Sequence, residues 1–335
     1  MSSKPIFYSW DDEGSPGRNL SGNNQNRLKQ ILKPCLVDGY GDKKGAGWTI
    51  GHEHPNGFSL KNADGNVVNF VSNLPGQAPY PVTHSDSIHI YAAESLTDTS
   101  NAIIDGANLC SGTYRKGIPE LSNYPRHMLG FARYSLQDQL TTLQWTLVAD
   151  DKTFILNCSS SDSSLSGSAS VSRYSFTLYT GKSLLDTGVT GNFVVLGGDI
   201  LNYSSNGIMC AFSRGYSSPI NLSSGLAEHV AVGAQPYDSS YNTNSSGQTA
   251  KSLSRLNLQQ PRLAYGNGFV GRLRGVVYDD VLRNLYGWEE HLKVLGFSGT
   301  DFTDRGKLVL IDGYNYAFAR SYSGNSILTD NQAFW

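Results

Sequence analysis

The chain has 335 residues, 16% of them charged, and a formal net charge of −2. That length can bury a large core without help from disulfides, and the charge balance argues against nucleic-acid binding, because Lys43-Lys44 and Arg272/Arg274 are isolated pairs rather than a basic stripe. Ser, Asn, Gly and Tyr replace the charges of an ordinary globular protein, in which about 25% of residues are charged, so the surface is neutral and hydrogen-bonding; it suits a protein packed against other proteins, and equally a secreted carbohydrate binder.

In chain order, no apolar segment follows Met1, so no signal peptide is expected and the chain is expected to be made, and kept reduced, in the cytosol. No run approaches the roughly 20 apolar residues that cross a bilayer. In the segment 1–20 the aromatics Phe7, Tyr8 and Trp10 have no local core, which marks them as candidate interface anchors. Ser21 and Asn23 or Asn24 can cap a helix by accepting from free backbone N–H groups. Leu28, Ile31, Leu32 and Cys35 recur at spacings of three and four, one face of a helix, with Arg27, Lys29, Gln30 and Lys33 on the other. Pro34 removes a helical hydrogen bond and crowds the preceding turn, so the regular helix is expected to end or kink near Lys33.

Residues 36–48 (LVDGYGDKKGAGW) follow, with four glycines in thirteen positions. They hold no metal-ligand set, nucleophile or phosphate cradle. Physically they stop a helix, turn the chain and plant an aromatic: Gly39 and Gly41 can take positive φ, and Trp48 is expected to be buried against the helix or a sheet edge. Asp38, Gly39, Tyr40, Gly41, Gly47 and Trp48 are therefore the candidate structural motif.

Beyond Trp48 the pattern is short strands and turns. Asn56-Gly57 and Asp64-Gly65 are hairpin dipeptides. Residues 87–91 alternate, as do 144–148 and 153–156 around Asp150-Asp151, which reads as a hairpin. Residues 159–170 are almost all Ser, Gly and Ala, a long loop or a flexible linker. Further strands are expected at 192–196, 207–212, 229–232 and 273–278, a long polar loop at 235–258, a short helical segment at 288–295, and a last hairpin around Asp312-Gly313. The expected organisation is a helix-plus-β region over 1–158, the serine-rich stretch 159–170, and a β region over 171–335. The fold class is mainly β, a sandwich or barrel-like body with one short N-terminal α-helix and long loops.

Candidate chemistry is sparse. His52 and His54 share a strand face and could bind a metal with His84 or His89, but beside Pro55-Asn56-Gly57 they read better as turn residues. Gly266–Gly271 matches G-x-G-x-x-G, yet a strand rather than a helix is expected after it, so it does not read as a dinucleotide site. Asp11-Asp12-Glu13 and Asp150-Asp151 are carboxylate clusters of the kind a glycosidase would need across a cleft, and also of the kind found in turns. Cys35, Cys110, Cys158 and Cys210 lack C-x-x-C spacing, allow three pairings, and need not pair at all. No catalytic residue, metal or cofactor is expected. Phe334-Trp335 would fray unless buried. Burial contributes roughly 1.5–3 kcal/mol per large side chain, so the pair is expected to dock into its own body or a neighbouring subunit.

Tyr8–Pro16, Leu20-Ser21-Gly22, Ile31–Gly41, Lys43 and Gly47-Trp48 together resemble a family of largely uncharacterised tailed-bacteriophage virion proteins, marked by L-V-x-G-Y-G-x-K-x-x-x-G-W. Trp145–Asp150 with Thr153-Phe154, and Gly198-Asp199-Ile200, look similar to the family too. So does the closing Trp335, although the Gly-Pro expected before it is absent. The resemblance implies a non-enzymatic particle component of the neck, tail, baseplate or head-decoration layer, with other virion proteins or symmetric copies of itself as partners and no small-molecule substrate. Its location would be the virion, after synthesis in the host bacterial cytoplasm. The alternatives are a receptor- or glycan-binding accessory protein and, behind it, a glycan-degrading enzyme.

Overall fold

The computed structural model describes residues 3–72, 88–102, 104–107, 128–129, 143–160, 176–184, 192–198, 211–213, 230–233, 260–265, 268–277, 308–321 and 324–335. It is mainly β, with several antiparallel sheets and one short α-helix. Strand β1 (Ile6–Ser9) leads to α1 (Asn24–Lys33). Then come β2 (Thr49–His54), β3 (Gly57–Lys61), β4 (Val67–Ser72), β5 (Ile88–Ala93), β6 (Ser95–Asp98), β7 (Asp105–Ala107) and β8 (Met128–Leu129). They are followed by β9 (Leu143–Ala149), β10 (Thr153–Ser160), β11 (Phe176–Gly181), β12 (Asn192–Gly198), β13 (Ala211–Ser213) and β14 (Val230–Gly233). The last are β15 (Arg262–Tyr265), β16 (Gly268–Arg272), β17 (Val276–Val277), β18 (Leu308–Ile311), β19 (Tyr314–Ser321) and β20 (Gly324–Thr329).

The helix starts and stops where local chemistry directs. The Asn23 side chain caps it, accepting from the Asn26 amide at 2.8 Å. At Pro34 the α-helix gives way to a π-helical turn, Pro34–Asp38, closed by Gly39 N–H donating to the Pro34 carbonyl at 2.8 Å. A proline at the first position of that turn has no N–H to leave unpaired. Leu28, Ile31, Leu32, Cys35 and Leu36 are fully buried. They meet Phe58, Leu60 and Phe70 of β3 and β4 and Trp145, Leu147, Phe154 and Leu156 of β9 and β10 in one core. The helix thus shares its core with two sheets: a five-stranded one (β2-β3-β4-β5-β8) and a six-stranded one (β1-β9-β10-β11-β12-β13).

The hairpin turns fall at Asn56, Asp64-Gly65, Asp150-Asp151 and Asp312-Gly313, as the dipeptides predict. β10 and β11, which flank the serine-rich stretch, pair antiparallel in the six-stranded sheet from Thr153↔Gly181 to Cys158↔Phe176. The stretch therefore joins neighbours in one sheet, and the sheet crosses the expected boundary at 159–170. Most of the expected 207–212 strand, the 235–258 loop and the 288–295 helical segment lie outside the described residues. A four-stranded sheet (β17-β20-β19-β18) carries the closing 3-10 turn Gln332–Phe334, and β14-β15-β16 and β6-β7 form two smaller sheets.

Candidate functional site

The glycine-rich motif is a clasp around one carboxylate. Asp12, in the turn after β1, accepts through Oδ2 from the Ser9 amide (2.7 Å), the Tyr40 hydroxyl (2.7 Å) and the Lys43 ammonium (2.6 Å). Between Tyr40 and Lys43 the backbones exchange two hydrogen bonds of 2.9 Å, a tight turn that presents both side chains to Asp12. This turn fits only because the chain can pass close by: a side-chain carbon on Gly41 (φ +52) would collide with the Glu13 carbonyl, and one on Gly39 (φ +82) would meet the Lys43 carbonyl at 2.6 Å. The loop then folds back on the π-helical turn, with Ala46, Gly47 and Trp48 amides donating to the Cys35 and Leu36 carbonyls. Burial, reinforced by the neighbouring Cys35 and by Asp12, pushes the Tyr40 phenol well above its usual range.

Trp48 ends the motif as expected, 2% exposed. Its ring lies edge-on to Phe154 at 5.2 Å, and Nε1 donates to the Asp150 carbonyl at 2.8 Å. Asp38, by contrast, faces solvent and pairs with Lys33 at 2.5 Å.

Asp150 is the centre of a second, buried arrangement. Its Oδ1 caps the β9–β10 turn by accepting from the Lys152 and Thr153 amides at 2.9 and 2.8 Å. Its Oδ2 pairs with Arg274 Nη2 at 2.5 Å, with the two side chains 0% and 6% exposed. Arg274 also donates from Nη1 to Thr153 Oγ1 at 3.0 Å and lies under the Trp335 ring at 5.3 Å. Burial pushes the Asp150 carboxyl above the usual carboxylate range, against the pull of Arg274 and the two amides. The pair joins residues 124 apart in sequence.

The expected interface anchors divide. Phe7 and Tyr8 are 4% and 0% exposed in this chain's own fold, because β1 pairs with β9 across Phe7↔Val148 and Tyr8↔Leu147. Tyr8 also donates its hydroxyl to the Lys44 carbonyl at 2.7 Å. The expectation that they lack a core is thus corrected: the core arrives from β9, some 140 residues on, where local inspection cannot find it. Trp10 is half-buried, with the Arg18 guanidinium 5.1 Å over its ring. Phe334 and Trp335 are also half-buried, and they dock on their own chain at the Arg274–Gly275 corner.

The other candidates are placed as follows. His52 donates to the Asn101 carbonyl at 2.8 Å, and His54 accepts the Asn56 amide at 3.1 Å, so both serve turns. Among the described residues no group of three or more His, Cys, Asp or Glu is arranged to hold a metal; His84 lies outside them. The G-x-G-x-x-G stretch ends in strand β16, not a helix. Cys35 and Cys158 are buried free thiols, and Cys110 and Cys210 lie outside the described residues. A shallow groove of about 510 Å³ runs along α1. Three of its polar side chains are already engaged: Lys29 with Glu53 at 2.7 Å, Lys33 with Asp38, and Gln30 with the Ser21 and Asn26 carbonyls. Sequence reasoning missed the ion pairs of both Lys43, placed only in a basic pair and in the motif of the resemblance, and Arg274, placed only in a basic pair. For Lys43 the signal was its place three residues after Tyr40; for Arg274 there was none.

Comparison with known proteins finds no matching family model, no matching curated protein and no matching solved structure.

Proposed function

We propose that this chain is a structural component of a tailed-phage virion that works by packing against neighbouring proteins. The observation that carries the reading is the clasp. The residues of the virion-protein resemblance, Tyr40, Gly41, Lys43 and Trp48, are engaged with Asp12, Glu13 and Asp150 of the same chain. A motif whose Tyr40 hydroxyl, Lys43 ammonium and Trp48 indole are already paired internally sets shape. The carboxylates of Asp12 and Asp150 are likewise tied up in ion pairs. The sparsely charged surface agrees, since charged residues are depleted at the centres of protein interfaces while Trp, Tyr and Arg are enriched. Trp10 under Arg18 offers one such half-exposed aromatic and cation. In a symmetric layer, contacts of this size act together, so each can be weak.

The test is to purify intact particles and locate the protein in them by mass spectrometry and electron microscopy. A fixed copy number at a symmetric position is expected, and Trp10→Ala should lower incorporation while the isolated chain keeps its fold. Absence from washed particles, with the protein left in the lysate, would overturn the reading.

A further inference from the structure

The segment Gln332–Trp335 sits where three distant parts of the chain meet. The Trp335 indole donates to the Thr329 carbonyl at 2.6 Å and lies over the Arg274 guanidinium. The Phe334 carbonyl accepts from the Gly275 amide at 2.8 Å and from Gln260 Nε2 at 2.9 Å. The same Gln260 nitrogen reaches the Leu273 carbonyl at 2.8 Å, so a buried amide ties the segment to its seat. Gly275 (φ +65) is the floor of that seat: a side-chain carbon there would run into the Trp335 ring and crowd Ile155.

We propose that this segment is a conformational latch. Seated, it seals the Arg274–Asp150 pair from water and thereby holds the β9–β10 turn and Trp48; unseated, it loosens that turn and the Trp48 anchor while the five-stranded sheet stays folded. The connection is continuous. Trp335 covers Arg274, Arg274 grips Asp150 and Thr153, Asp150 Oδ1 takes the Lys152 and Thr153 amides, and the Asp150 carbonyl takes the Trp48 indole. Every link is a hydrogen bond or a ring contact. Sealing matters because an ion pair is far stronger where water is excluded, and water admitted beside it weakens both the pair and the bonds it orients.

The latch is also built to open without the core. It is one short 3-10 turn, Gln332 and Ala333 are exposed, and its fixings are a few hydrogen bonds and one indole ring. Segments with little buried area and partly exposed hydrogen bonds open at lower free energy than the core. Its seat on the four-stranded sheet places it so that a neighbour pressing there would tighten or release the motif at the other end of the chain. This coupling is a property of the isolated chain and does not depend on where the protein resides.

Hydrogen exchange on the full chain tests it, comparing wild type with Trp335→Ala, Gly275→Ala and Trp335→Phe. The expected result is exchange on the order of tenfold faster at the Lys152 and Thr153 amides and the Trp48 indole N–H in the first two variants. A smaller acceleration is expected in Trp335→Phe, which keeps a ring but loses the bond to Thr329. Amides of β3 and β4 should keep their wild-type rates. Acceleration confined to residues 329–335 would overturn the proposal, because the latch would then hold nothing but itself. Acceleration of all amides together would overturn it too, since the segment would be one part of a single cooperative unit. Should Trp335→Ala fail to fold, Trp335→Phe decides by the same two criteria.

Discussion

At the N-terminal end Tyr8 is wholly inside the protein, paired through β1 to β9; at the other end Trp335 lies half exposed, its ring over a guanidinium that is itself bound to a buried carboxylate. Both ends use an aromatic and a glycine at φ > 0 to bring chain segments close, Gly41 beside Glu13 and Gly275 beside Trp335. They differ in what holds them. At the first, Tyr8 itself is held by area removed from water and by strand pairing, which change little between acid and neutral pH, beside the partly exposed Asp12–Lys43 pair. The second is held by hydrogen bonds to Thr329, Gly275 and Gln260, and its ring covers a charge pair whose strength depends on water staying out. Aromatics at the ends of a chain therefore do not all have one role, and which role each has follows from what the sheet brings to it.

The largest effects should separate the two ends by pH. Tyr8→Ala empties a core site and should cost about 3–5 kcal/mol, read from urea unfolding, by a similar amount at acid and neutral pH. Arg274→Met should cost a comparable amount, about 3–5 kcal/mol, by leaving Asp150 buried without its partner, but with a pH dependence. The folded-state pKa of Asp150 is already raised and rises further without Arg274. Between the ordinary carboxylate value of about 4 and that raised value, the folded state holds a proton that the unfolded state has released. Stability then falls as pH rises through this window, so the deficit of Arg274→Met grows from acid toward neutral pH. A pH-independent deficit would erase the distinction between the two ends.

Smaller effects sharpen the account of the clasp. Gly41→Ala should cost about 1–3 kcal/mol, combining positive φ with collision against Glu13. Gly17→Ala should cost only about 1 kcal/mol, since that glycine has φ +70 but open space around it. Equal costs would mean that backbone strain alone sets the glycine requirement and the close approach to Glu13 is incidental.

Smallest of all is Lys29→Ala. Its partner Glu53 is half exposed, and the Lys29 hydrogen bond holds the Glu53 carboxyl below its usual range. The loss should stay below about 1 kcal/mol, vanish in high salt, and be present at neutral pH but lost as pH falls through the carboxylate range.

What was legible in the sequence is what short-range chemistry decides. A cap among Ser21, Asn23 and Asn24 (the structure selects Asn23), the break at Pro34, the positive-φ glycines of the motif and the hairpins at Asn56-Gly57, Asp64-Gly65, Asp150-Asp151 and Asp312-Gly313 are each set by a few adjacent residues. Asp150 was legible as a turn residue, and its Oδ1 does cap that turn, but its other oxygen answers to Arg274. By charge alone Lys43 and Arg274 looked alike in the sequence, each one half of an isolated basic pair. Yet Lys43 is 31 residues from its partner and partly exposed, while Arg274 is 124 from its own and buried.

By itself, then, the sequence determined the mainly β character, the short N-terminal helix and the bend that ends in Trp48, because hydrophobic period, proline and glycine act within a turn or two of chain. Only the tertiary structure decided that Phe7 and Tyr8 belong to the core, that Asp12 is the centre of the motif, and that Trp335 rests on an ion pair. Those outcomes depend on contacts closed over about 30 residues at Asp12 and over more than a hundred at Tyr8 and at the Arg274–Asp150 pair, and loop closure of that length leaves no mark in any local window.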